Sequence, residues 1–203
     1  DGTVKRGSAT CPLCGYTTPV ASVRAQLKKR RGGANDARLF CVVTTRPNQQ
    51  GRFYRLPRDY DLEAVRKAAQ ELERRKRKHK GELSLVPDEP LPPPGTLGFR
   101  VQRYGMEKWG DLFTSRQALV LSTLIKKLKE KNEIEIGEKT CLSLAINRQS
   151  NTQTSLSRWN VAGEKIEGLF SRQAISMIWD YCECNFSSES TGSFEGALEW
   201  VIK

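Results

Sequence analysis

The residues whose types could do chemistry here are six cysteines, one histidine and an unusual concentration of cations. Two of the cysteines share the motif Thr10-Cys11-Pro12-Leu13-Cys14-Gly15-Tyr16. Thiolates at this spacing, with a glycine after the second, let the backbone turn tightly around one tetrahedral Zn²⁺. Cys11 and Cys14 are half of such a site, which takes four ligands. Cys41, Cys141, Cys182 and Cys184 lie far along the chain, and Cys182-Glu183-Cys184 has the wrong spacing for a second turn of this kind. The alternative is a pair of free thiols in a loop. Irregular spacing in a Lys-rich chain of 203 residues argues for cytosolic thiols or a metal site rather than a secreted disulfide framework.

The single histidine, His79, sits inside the run Arg74-Arg75-Lys76-Arg77-Lys78-His79-Lys80. Neighbouring cations make it a poor base or metal ligand, and without a second histidine a histidine relay is nearly excluded. No G-x-G-x-x-G, G-x-x-x-x-G-K-S/T or G-x-S-x-G stretch occurs, so no phosphate loop, dinucleotide loop or nucleophile elbow is encoded. The carboxylates form no recognisable catalytic pair. These residues carry no commitment to catalysis.

Charge is the stronger signal. The net charge is +11, and it is unevenly placed. Residues 1–80 hold 20 Lys/Arg against 7 Asp/Glu, a balance of +13, whereas residues 81–203 hold 14 against 16, a balance of −2. A segment of that sign attracts a polyanion and releases condensed counterions on binding it. A soluble basic surface without a ligand is the plainer alternative. An acidic membrane suits it less, because the basic region has no aromatic-faced amphipathic helix. No run of about 18 apolar residues could span a bilayer, and the first residues do not read as a signal peptide.

The elements that must position these groups follow from local pattern. Residues 38–45 and 52–56 read as strands around a turn at Pro47–Gly51, with Arg52, Tyr54 and Arg55 facing either nucleic acid or the core. Asp59-Tyr60-Asp61 offers a cap to a helix whose stripe is Leu62, Val65, Ala69 and Leu72 and which stops at Gly81. Its terminal cations, Arg74, Arg75, Lys76, Arg77 and Lys78, exceed what capping needs, and form either a solvated face or a phosphate-contacting patch.

Residues 82–97, with Pro87, Pro90, Pro92, Pro93 and Pro94, read as a stiff linker between a segment 1–81 and a mainly helical region 98–203. Residues 98–110 mix Phe99, Arg100, Arg103, Tyr104 and Trp109 without a period, so the rings pack inward or stack on bases. Leu112-Phe113-Thr114-Ser115-Arg116-Gln117-Ala118 begins a helix with the stripe Ala118, Leu121, Ile125 and Leu128, and a second helix covers 135–150. Leu169-Phe170-Ser171-Arg172-Gln173-Ala174 nearly repeats that start and predicts a helix through Ile175, Ile178 and Trp179. In both copies the phenylalanine is placed to staple the turn to the core.

Arg116 and Arg172, in first turns, oppose the helix dipole; a phosphate or a carboxylate partner at the helix start would account for both, as would a reused local design. A last helix begins near Gly192. The expected class is α+β: a half zinc ribbon, a β-hairpin and a basic helix, then about four helices.

Several of these stretches together resemble the adenine-specific DNA methylases that carry a zinc ribbon, a prokaryotic family associated with restriction-modification or phage defence. The likeness rests on Cys11-Pro12-Leu13-Cys14-Gly15-Tyr16, Pro87-Asp88-Glu89-Pro90, Leu97 to Gly105, Trp109-Gly110-Asp111-Leu112-Phe113-Thr114, and Ser171 to Tyr181. It covers nearly the whole chain. The resemblance implies a parent enzyme that transfers a methyl group from S-adenosylmethionine to an adenine amino group of double-stranded DNA. The family's F-x-G-x-G and D-P-P-Y motifs do not occur in this sequence.

The expected role is therefore that of an internal, DNA-engaging and target-recognising region of a cytoplasmic enzyme. Its partners would be duplex DNA and the catalytic domain of the same polypeptide. It would bind no S-adenosylmethionine itself, and the first half of its zinc ribbon would be supplied from outside these residues. Cys182 and Cys184 depart from the family pattern. The implied DNA contacts are Arg74, Arg75, Lys76, Arg77, Lys78, Arg100, Arg103, Tyr104, Arg116 and Arg172. A non-catalytic zinc-ribbon module for RNA or protein is the alternative, and a scaffold with a solvated basic face is a third.

Overall fold

The computed structural model describes residues 3–96, 98–171 and 174–203. The chain folds as α+β, with three small antiparallel sheets and five α-helices among the described residues. A three-stranded sheet, β1 (Val4–Lys5), β2 (Ser8–Thr10) and β3 (Thr17–Thr18), opens the chain, with Ala9 opposite both Val4 and Thr18. Helix α1 (Val20–Arg30) follows. Its sequence has no apolar stripe, which is why periodicity does not reveal it. It is held by Val23, which is buried, and ends where Arg31 turns left-handed at φ 50° with its N–H on Leu27 O.

The hairpin β4 (Val42–Arg46) and β5 (Gln49–Arg55) closes on a two-residue turn at Pro47-Asn48, where Asn48 takes φ 59°. Helix α2 (Asp59–Lys78) is capped as its acidic start suggests, but one residue earlier: Arg58 is the cap and its N–H donates to Asp61 Oδ2 at 2.8 Å. The stripe Leu62, Val65, Ala69 and Leu72 turns inward, and Leu72 is buried. The helix stops at Lys78, ahead of Gly81, because His79 leaves helical geometry with ψ 127°.

The core lies beyond residue 90. Leu91, Val101, Met106, Leu112, Leu156 and Ile175 are buried together, and Phe99, Trp109, Phe113, Leu169, Met177 and Ile178 pack around them. Burying one such side chain stabilises by about 1.5–3 kcal/mol. The proline-rich segment is bonded along this core. Leu91 N donates to Glu107 O, Trp109 N to Glu89 O, Gly110 N to Pro87 O, and Gln102 Nε2 to Pro92 O. The basic segment packs on the same body. Helix α1 rests on a 3₁₀ turn at Val101–Tyr104, and Gly33–Asp36 rests on a second one at Trp109–Leu112.

Helix α3 (Ser115–Glu130) starts with a hydroxyl cap where its sequence offers Thr114 or Ser115: Thr114 is the cap, and the bond is reciprocal, Gln117 N donating to Thr114 Oγ1 and Thr114 N to Gln117 Oε1. Ala118 is buried, while Ile125 of the expected stripe is 44% exposed. Helix α4 (Ile136–Thr152), the hairpin β6 (Arg158–Asn160) and β7 (Lys165–Glu167), and α5 (Phe194–Ile202) complete the chain.

After the proline-rich segment the described residues thus form three α-helices and a hairpin where about four helices are expected. The helix predicted through Ile175, Ile178 and Trp179 does not form. Ile175 N donates to Gly98 O and accepts back through Arg100 N on its carbonyl, while Tyr181 pairs with Arg158. Those backbone groups are spent on extended neighbours, so a helical ladder cannot use them. Phe170, expected as a staple, is 72% exposed.

Candidate nucleic-acid interface

The cysteine motif forms a turn between β2 and β3. Cys11 N donates to Tyr16 O and Gly15 N to Cys11 O, both at 2.9 Å, and Gly15 takes φ 72°. The Cys11 thiol is held below its usual range by the backbone N–H of Cys14, then that of Leu13, then the Cys14 thiol, all directed at its sulfur. Cys14 is exposed and Leu13 is 95% exposed at the tip. Two sulfurs presented by such a turn fit one half of a tetrahedral zinc site. Among the described residues no group of three or more His, Cys, Asp or Glu side chains could hold a metal.

The cation run occupies the last turns of α2, where i, i+3 and i, i+4 neighbours meet on one surface. Arg74 Nε lies 2.6 Å from Glu71 Oε2 and Arg75 Nε 2.7 Å from Glu71 Oε1, so one carboxylate takes two guanidinium groups. These two arginines hold the Glu71 carboxyl at about 2, Arg74 first. Lys76 pairs with Glu73 at 2.8 Å. Arg77 and Lys78 are exposed and form no ion pair among the described residues. The excess charge therefore projects from the very end of the helix.

Arg100 and Arg103 are exposed. Tyr104 is not free in the same way. Its ring is edge-on to Trp179 at 5.4 Å, the Arg24 guanidinium stands 5.4 Å over it, and Arg24 Nε donates to its hydroxyl at 3.4 Å. Phe99 and Trp109 likewise meet edge to face at 6.0 Å. The rings of this stretch pack inward and its arginines point out.

Arg116 has found a carboxylate: Nε lies 2.8 Å from Glu183 Oε2, charge-paired but out of line for a hydrogen bond. That pair offsets the cost of a cation in the first turn of α3. Arg172 lies outside the described residues. On the hairpin, Arg55 grips Asp61 through two bonds of 2.6 and 3.0 Å, whereas Tyr54 stacks edge-on against Trp159.

Helix α1 supplies basic residues that periodicity alone does not find. Lys28 and Lys29 are exposed on it, beside Arg30, which pairs with Asp36, and Arg31, which pairs with Glu107. The signal was present in the run Lys28-Lys29-Arg30-Arg31 after a proline-led start. Through α1, these lysines and Arg103 belong to neighbouring elements, because α1 packs on the turn at Val101–Tyr104.

No helix among the described residues is long and apolar enough to cross a membrane. Comparison with models of known families, with curated proteins and with solved structures finds no match to the chain.

Proposed function

We propose that this chain is a DNA-engaging region of an S-adenosylmethionine-dependent adenine-specific DNA methyltransferase of the cytoplasm. It holds duplex DNA for a catalytic domain of the same polypeptide. One observation carries the reading. Of the +13 balance in residues 1–80, Arg31 is answered by Glu107, and exposed cations without ion partners among the described residues carry much of the rest. Asp36, Asp61, Glu63, Glu71 and Glu73 are each taken up by local arginines or lysines, while Lys28, Lys29, Arg77 and Lys78 are left to solvent and form no ion pair among the described residues. Phosphates are the natural partners of such a set, and they set register rather than sequence.

The turn at Cys11 and Cys14 supports the accompanying expectation of zinc. These two sulfurs would hold half of the ion's shell, with the remaining ligands contributed by the parent enzyme. S-adenosylmethionine would be held by that catalytic domain, and no residue here is assigned to it. A zinc-ribbon module for RNA or protein without catalysis shares the same cysteine turn and is the second reading.

The deciding measurement is affinity for duplex DNA as a function of salt. Log affinity should fall linearly with log salt, by about 0.9 per phosphate contacted. A flat response ends the phosphate reading, and a strong preference for RNA of equal length transfers it to the second.

A further inference from the structure

Residues 2–35 hold seven Lys or Arg and no Asp or Glu. Folding gathers part of that charge around one hydroxyl, that of Tyr104. The Arg24 guanidinium of α1 stands 5.4 Å over the Tyr104 ring, and Arg24 Nε donates to the hydroxyl at 3.4 Å. Lys28 lies one turn further along the same face of α1, its Cα 3.0 Å from where a Cβ on Gly105 would stand. The turn between β1 and β2 approaches the same atom: a Cβ added at Gly7 would be 3.7 Å from the Tyr104 hydroxyl. We infer that Tyr104, Arg24, Arg6 and Lys28 form an oxyanion site that takes one phosphate group. Where the reading above has exposed cations attracting a polyanion, this site adds a donor set that grips a single group.

Unused donors select that chemistry. The phenol accepts from Arg24 Nε, so its own O–H is left over, and it meets no acceptor among the described residues. Arg24 spends only Nε on this bond. Its two Nη groups make no hydrogen bond or ion pair among the described residues. The ring and the Nε bond hold the half-buried guanidinium in place with that fork unpaired. A guanidinium fork matches two oxygens of a phosphate.

Arg6 is the second cation, and its position is unusual. It takes φ 50° and Gly7 φ 88° in a two-residue turn that sets Lys5 opposite Ser8. Turns with both central residues in this region favour Asn-Gly or Gly-Gly, so an arginine in the first place carries a backbone cost. It is exposed, and neither it nor Lys28 makes an ion pair among the described residues.

The acids that follow Tyr104 in the chain are already engaged. Glu107 pairs with Arg31 at 3.0 Å, and Asp111 accepts from the backbone N–H groups of Glu107 and Lys108. Three cations and a neutral O–H therefore face an anion. A carboxylate offers its oxygens in one plane, whereas phosphate oxygens fan out toward donors that arrive from separate elements. A nucleic-acid backbone and a small phosphorylated ligand present the same group.

The test uses the 203-residue chain with inorganic phosphate and, separately, with a short DNA duplex. Phosphate in place of chloride at equal ionic strength should raise Tm, and Tyr104→Phe and Arg24→Gln should each lose most of that rise. Phosphate also stabilises proteins by exclusion from their surface, so the difference between proteins is the readout. The duplex separates the two sources. For a backbone phosphate, Arg24→Gln should reduce the slope of log affinity against log salt by about 1. Tyr104→Phe should weaken duplex binding about tenfold with the slope unchanged, since the lost donor carries no charge. A lost phosphate response with duplex binding untouched keeps the site and assigns it to a small phosphorylated ligand. The same loss in a chain without duplex affinity also keeps the site, and removes the nucleic-acid reading. An unchanged phosphate response in both variants overturns the site, and the duplex reading then stands or falls on its own salt series. Should Arg24→Gln unfold the chain, Arg24→Lys decides: it keeps the charge without the fork, and a response equal to that of the unaltered chain overturns the proposal.

Discussion

Arg75 reaches from the last turns of α2 to Thr123 on α3, its Nη1 donating to Thr123 Oγ1 at 2.7 Å. The cation run that reads as one patch in the sequence is thereby divided into two jobs. Arg75 is half-buried between Glu71 and α3, a brace between two helices that pack along each other. Arg77 and Lys78, one turn or less further on, are exposed and point their charge at solvent.

Separate variants should split these jobs. Replacing Arg77 and Lys78 together by alanine should leave stability within about 0.5 kcal/mol, because both are surface residues without partners among the described ones. The same pair should lower the slope of log duplex affinity against log salt by about 2, one for each phosphate contact. Arg75→Ala should do the opposite, lowering stability by about 1 kcal/mol through the lost bond to Thr123. Denaturant titration and a salt series on both proteins check this. An unchanged slope for the Arg77, Lys78 pair would reduce it to a solubility device.

Acid should loosen α2 before it reaches the core. Asp61 is held at about 2, chiefly by Arg55 and then by the Arg58 backbone N–H, and Glu71 is held at about 2 by Arg74 and Arg75. A carboxyl whose value is depressed by folding contributes stability above its unfolded value, and that contribution fades as pH falls toward the folded one. The window is therefore roughly pH 4 down to 2. Melting temperature across that window should fall less steeply in Asp61→Asn than in the unaltered chain. Parallel curves would show that the Arg55 pair does not couple to folding.

Which of this was legible in the sequence depends on how local the signal is. The hydroxyl cap of α3, read as Thr114 or Ser115, forms at Thr114, and the Gln117 side chain that answers it lies only three residues on. The stripe of α2 and the hairpin around Pro47-Asn48 are equally local. Helix α1 was hidden because it buries Val23 and little else, leaving no stripe to detect. The second Leu-Phe-Ser-Arg-Gln-Ala run misled for the opposite reason. Its helical pattern is real, but Gly98 and Arg100 claim the backbone of Ile175 from more than seventy residues away, a tertiary contact that no local window contains. At the site, residue type identified the cations, while their division into braces and free charges depended on Thr123, Glu183 and Asp36, which lie outside the motifs.

The cysteines should react in two classes. Burial, and then the neighbouring Cys184 thiol, push the Cys182 thiol up to about 12, and burial pushes Cys184 up to about 11. At pH 7.5 both stay protonated, so their alkylation is slow. Cys11 is held low by backbone N–H groups and Cys14 is exposed, so this pair should be labelled first. Zinc added beforehand should slow labelling of Cys11 and Cys14 and leave Cys182 and Cys184 unaffected. Timed alkylation followed by peptide mass analysis reads both effects. Cys182 modified as fast as Cys11 would contradict the burial argument.

At Gly105 the core comes close against the backbone of the basic segment. It takes φ 90°, and a Cβ added there would stand 2.8 Å from Leu27 O and 3.0 Å from Lys28 Cα. Two penalties coincide in Gly105→Ala: a side chain in the left-handed region, and backbone contact that can be relieved only by lifting α1. A loss of about 2–3 kcal/mol follows from strain and overpacking of this kind. Since α1 carries Lys28 and Lys29 beside Arg103, lifting it should also weaken duplex binding, even though Gly105 has no charge. Gly33→Ala is the control, with φ 55° and a milder approach of 3.1 Å to Asp111 O. It should destabilise without the same loss of affinity. Equal effects from both variants would mean that the position of α1 on the core is immaterial to how DNA is held.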